Sequence, residues 1–81
     1  MEVIYERGLR ILQKQFVALE KVQANNKLPA KAMAAAVRIS KLLINRQIDL
    51  LIKEIQRTTG KGLEDKTAWL LINSLERLKL K

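Results

Sequence analysis

Neither cysteine nor histidine occurs in the 81 residues, and this double absence excludes disulfide frameworks, thiolate or imidazole zinc sites, and thiol or imidazole catalysis. A reducing compartment suits such a chain. Aromatic residues are scarce, with one each of Trp, Tyr and Phe, which disfavours single-strand recognition by a stacking platform. No apolar run approaches the roughly 20 residues of a transmembrane helix. The opening residues lack the basic segment and apolar run of a secretory signal. The expectation is a soluble, cytoplasmic protein without a membrane role. Carboxylates are also absent from Lys21 through Gln47, whereas the same stretch carries Lys21, Lys27, Lys31, Arg38, Lys41 and Arg46.

Glycine and proline are few as well, three and one, and their positions punctuate the chain. Pro29 suits a first helical position, because its φ is fixed and its missing N–H is not needed there. The next glycine after it is Gly60. The residues between, rich in Ala, Leu, Lys, Glu and Gln, favour helix throughout. They predict one long central helix at about 29–57, roughly 40 Å in length. Met33, Val37, Ile44, Ile48, Leu51, Ile52 and Ile55 form one apolar stripe of this helix, with Ala32, Ala36, Ile39, Leu43 and Leu50 as a second stripe beside it. An apolar arc this wide implies burial from two directions.

A first helix at about 3–23 places Ile4, Ile11, Leu12, Phe16, Leu19 and Val22 on one broad face, with Gly8 and Gln15 near its centre. Gly8 reads as a point of close helix packing and Gln15 as an amide satisfied within the core. Asn25 or Asn26 is placed to cap the central helix. A third helix at about 64–80 begins at Glu64 and Asp65, whose charges suit a helix N-terminus. Ala68, Leu71, Ile72, Leu75 and Leu78 form its apolar set, with Trp69 at the edge. The expected fold is all-α: a single domain over 1–81, a three-helix antiparallel bundle built on the long central helix, and dimeric, since one small core supplies little surplus stability. The first half of the central helix, covered from one side only, is where the dimer contact is expected.

Catalytic chemistry finds no support. Ser40 and Ser74 have no histidine to activate them, the carboxylates form no acid–base pair, and no metal-ligand spacing occurs. No catalytic, cofactor or metal residue is expected. The segment Thr58-Thr59-Gly60-Lys61-Gly62 has the lysine and glycines of a phosphate-binding loop, but it follows a helix and lacks the GxxxxGK[ST] order, so it reads as a turn. A helix-turn-helix reading, with Lys66, Thr67 and Asn73 towards a groove, is opposed by the acidic start of the third helix.

The charge pattern carries the functional expectation. The formal charge is +8, which points to a polyanionic partner. Arg7, Arg10, Lys14 and Lys21 fall within about 60° of one another on the first helix, as a ridge roughly 20 Å long. Lys31, Arg38 and Asn45 repeat at seven-residue spacing on the central helix. Two such rows on a helical hairpin can track a phosphate backbone without reading bases. The expected nucleic-acid-binding residues are Arg7, Arg10, Lys14, Lys21, Lys27, Lys31, Arg38 and Lys41, with DNA the favoured ligand. The alternative is an interaction or adaptor module for an acidic protein, with Met33, Ala36 and Val37, and a seam of Leu63 and Leu70, as its interface.

Overall fold

The computed structural model of the chain describes residues 2–58 and 64–81, with side chains of residues 5–58 and 64–81. Three helices account for nearly all of them: α1 (Glu2–Gln23), α2 (Ala30–Thr58) and α3 (Asp65–Leu78). Helix is the only regular secondary structure among the described residues, and no strand occurs among them. The predicted loop at Thr59–Gly62, and Leu63 of the expected seam, lie outside the described residues.

Each helix boundary has a local cause. The α1–α2 turn is tightened by Asn25, whose Oδ1 accepts the backbone N–H of Lys27 at 3.0 Å. Asn25 therefore folds the turn instead of capping α2, where the Met33 N–H meets the Pro29 carbonyl at 2.9 Å. At the far end of α2, the Thr58 hydroxyl donates to the carbonyls of Glu54 and Ile55, at 3.0 and 3.1 Å. Glu64 starts α3 with an extended backbone and no side-chain cap. The helix stops at Leu78, two residues earlier than the sequence predicts, because Lys79 turns extended.

Both α1 and α3 pack on α2, and their backbones do not come into contact with each other. The core runs along one side of α2, where Ile44 and Ile48 are fully buried and Leu51, Ile52 and Ile55 nearly so. Leu12 and Leu19 meet it from α1, and Ala68 and Leu75 from α3. Full burial of an Ile side chain contributes about 1.5–3 kcal/mol, so the two central isoleucines alone anchor a large part of a small domain's stability. The first of the two stripes on α2 is thus buried along its second half.

At Gly8 α1 lies close against α2. A Cβ there would collide with the Leu51 methyl and stand 3.2 Å from Leu51 Cγ and 3.3 Å from Gln47 Nε2. Gln47 Nε2 also donates to the Gly8 carbonyl at 3.4 Å. Gly8 is therefore kept for packing, as its place on the apolar face suggests. Gln15 behaves differently from expectation: its Oε1 is buried and accepts no hydrogen bond.

The C-terminal residues dock on α2 as a short extended tail. Asn45 grips Leu80 from both sides, with Nδ2 donating to its carbonyl at 2.6 Å and Oδ1 accepting its N–H at 2.8 Å. Lys41 Nζ donates to the Lys81 carbonyl at 3.3 Å. Lys79 Nζ lies 2.6 Å from Asp49 Oδ1 and 3.4 Å from Glu76 Oε2. These contacts fix α3 and its tail beside α2 from Lys41 onward.

The second apolar stripe of α2 departs from expectation. Ile39, Leu43 and Leu50 remain 57%, 49% and 52% exposed. The reason is angular. At 100° per residue, the tail-binding residues Asn45 and Asp49 lie on one flank of the buried face, and Gln47, which bonds α1, lies on the other. The second stripe continues past Gln47, away from α3. α3 packs on the Asn45 flank, so that stripe has no cover. The molecule is accordingly a thin rod, 49 × 22 × 14 Å.

Candidate nucleic-acid interface

Arg7, Arg10, Lys14 and Lys21 are all exposed. They stand opposite buried Leu12 and Leu19 because the helix period that turns the leucines towards α2 turns these cations outward. No carboxylate pairs with any of them among the described residues. Glu6 borders the ridge without closing an ion pair. Lys14 and Lys21, with Gln13, Val17 and Ala18, line a shallow open concavity on this outer face. Lys27 extends the row into the turn, where it too is exposed.

The cations of α2 occupy a different edge. Lys31 and Arg38 are exposed, but helical spacing aligns them with Asn45, on the flank where the tail docks. The two rows therefore lie on opposite edges of the hairpin and converge only around the turn. Asn45, read from the sequence as part of the α2 row, is occupied by Leu80. Lys41 is half-buried and bonded to the tail.

Ion pairing is concentrated elsewhere. The salt bridges among the described residues join Glu54 to Arg57 at 3.0 Å, and Lys79 to Asp49 and Glu76. All of them stand beside the half of α2 that α3 covers. The hydrogen bond to Asp49 is the main cause that raises the Lys79 pKa above the ordinary lysine range. The other half of the hairpin, from Lys14 to Lys41, carries a single carboxylate, Glu20. Its charge is thus left for solvent or for a ligand.

The remaining candidates are scattered. Met33, Ala36 and Val37 are half-buried against α1, and Leu70 is exposed on the outer side of α3. On α3, Lys66 and Thr67 are exposed, while the Asn73 amide donates to the Trp69 carbonyl of its own helix at 2.7 Å. No group of His, Cys, Asp or Glu able to hold a metal occurs among the described residues, nor is any described helix long and apolar enough to cross a membrane. Sequence reasoning did not single out Ile11, Ile39, Leu43 and Leu50 as surface residues, because their spacing is that of core. Periodicity carries no signal for this, since both stripes of α2 are apolar and the contacts that draw α3 to one flank join residues far apart in the chain.

The chain matches no protein-family model, no curated protein and no solved structure.

Proposed function

We propose that this protein is a non-enzymatic nucleic-acid-binding protein that grips the phosphate backbone through the α1 ridge and the hairpin turn. Arg7, Arg10, Lys14, Lys21 and Lys27 supply the contacts, and Lys31 and Arg38 offer a second edge to a strand that passes around the turn. The observation that carries the reading is the asymmetry of pairing: ridge cations are exposed and free of carboxylate partners among the described residues, whereas the ion pairs cluster beside α3.

A straight cationic row about 20 Å long spans roughly six phosphate steps of one strand at 3.4 Å each. Contacts of this kind position a protein on a duplex without specifying sequence. Contacts made to phosphates alone carry no base information, so binding is expected to tolerate sequence. The paired substitution Lys14→Gln and Lys21→Gln tests the assignment by fluorescence anisotropy on labelled duplex DNA. Both side chains are exposed, so helicity should be unchanged while affinity falls about tenfold or more. Unchanged affinity would remove the ridge from the interface.

A further inference from the structure

Ile39, Leu43 and Leu50 project from α2 on the side away from α3, and helical spacing places Ile11 and Ala18 of α1 next to them across the hairpin. Phe16 and Tyr5 mark the opposite flank of α1, where they pack against the core. One side of the hairpin is thus an apolar floor about 16 Å long from Ile39 to Leu50, three turns of a helix.

The floor belongs to a molecule that exposes more surface than a compact one of its mass. A compact monomer of this mass exposes about 5,000 Å², and this one exposes 6338 Å². The surplus exceeds the roughly 800 Å² that each partner buries in an interface of standard size. Helices form stable domains by burying their apolar faces against a second layer, and here that layer is missing on one side.

The rim of the floor identifies what can supply it. Lys14 borders it on α1 and Arg46 on α2, both exposed and without carboxylate partners among the described residues. Glu54, the carboxylate nearest the floor, is taken up by Arg57. A second copy would bring the same cations against these and few free carboxylates to meet them. We infer that this face is a docking site for an acidic amphipathic helix of another protein, with its apolar residues on Ile11, Ile39, Leu43 and Leu50 and its flanking Glu or Asp on Lys14 and Arg46. Charge complementarity is what selects it over a second copy, since each copy carries +8.

The inference does not depend on nucleic-acid binding, although Lys14 serves both surfaces. The probe is a synthetic 18-residue helical peptide with leucines at i, i+3, i+4 and i+7 spacing and glutamates on both flanks; its control carries lysines in place of the glutamates. By anisotropy the acidic peptide should bind at least tenfold more tightly than the control, and added salt should weaken it. Leu43→Ser with Leu50→Ser should lower its affinity tenfold or more, while Leu70→Ser, on the outer side of α3, should not. The same neutral pair should leave DNA affinity unchanged, which separates this site from the ridge. Failure to bind the acidic peptide, or equal binding of both peptides, would overturn the proposal. A sedimentation mass of two chains that falls to one in the Leu43→Ser and Leu50→Ser variant would assign the face to a second copy. Recruitment to phosphatidylserine vesicles that is lost in this variant, with no peptide binding, would assign it to a membrane surface; either result overturns the proposal.

Discussion

The crossing of α1 over α2 at Gly8 makes a prediction whose sign depends on the partner residue. Gly8→Ala should gain about 1 kcal/mol of helix propensity in an α-helix interior. Against that, the new methyl group meets the Leu51 methyl in collision and Leu51 Cγ at 3.2 Å. Leu51 is nearly fully buried and cannot retreat to solvent. Overpacking of this kind costs about 1–3 kcal/mol, so the net change is a destabilisation of about 1 kcal/mol. Leu51→Ala removes both clashing atoms, at its own cost of about 2–5 kcal/mol. In that background the nearest of the three closest atoms left to the new methyl is Gln47 Nε2, at 3.3 Å, the end of a flexible side chain. Gly8→Ala should then stabilise by about 1 kcal/mol. The four proteins are compared by urea denaturation followed at 222 nm, with a fixed concentration of trimethylamine N-oxide to keep the weakest one folded. The expected coupling is about 2 kcal/mol, a typical value for residues in contact. If Gly8→Ala has the same effect in both backgrounds, the helices do not cross at Gly8.

Three further outcomes follow from individual contacts. Asn45→Ala removes both hydrogen bonds to Leu80 and should cost about 1–3 kcal/mol in the same denaturation assay, at about 0.5–1.5 per bond; no change would mean that the tail does not dock. Gln15→Met replaces the unpartnered buried carbonyl by a side chain of similar shape and should raise stability by about 1 kcal/mol, so a lowered denaturation midpoint would speak against an apolar surrounding. Burial raises the Tyr5 pKa above 10.0, and because the unfolded chain ionises first, the stability held by the neutral ring is present below pH 10 and lost as pH rises through the folded value. Lys79, raised chiefly by its bond to Asp49, acts with the same sign. Stability should thus be level from pH 6 to 9 and decline above 10, less steeply in Tyr5→Phe; a level profile to pH 11 would contradict both assignments.

Much of the helical layout is legible in the sequence because its causes are local. Pro29 marks the approach to α2, the alanine-rich and leucine-rich run sustains it, and the buried isoleucines lie at strict helical spacing. Gly8 is legible for the same reason, as a helix-weakening residue in the middle of an apolar face. What the sequence does not show is the choice between equally apolar neighbours. Leu43 and Leu51 have the same side chain on the same helix, yet one is half exposed and the other buried, because α1 packs over Leu51 at Gly8 while the tail contacts at Asn45 and Asp49 draw α3 to the flank away from Leu43. Those contacts join residues far apart in the chain, and no periodicity encodes them. Asn45 itself reads as a surface residue and is structural, while Gln15 reads as satisfied and is not. The cations of the ridge are exposed, as amphipathic spacing implies, but their division between two edges depends on how the hairpin turns.

The most direct test of the central claim is the salt dependence of binding to duplex DNA, with single-stranded DNA and RNA in parallel. If the ridge residues Arg7, Arg10, Lys14 and Lys21 each neutralise one phosphate, the logarithm of the binding constant should fall against the logarithm of salt with a slope of about −3.6 on B-form DNA. Lys27 would steepen it by about one further unit. The slope should not change between pH 6 and 8, where no side chain of this histidine-free chain ordinarily titrates. A slope in that range, reduced by about two in the Lys14→Gln and Lys21→Gln variant, is the predicted result. Absence of binding to all three nucleic acids at low salt, or a slope near zero, would contradict the account.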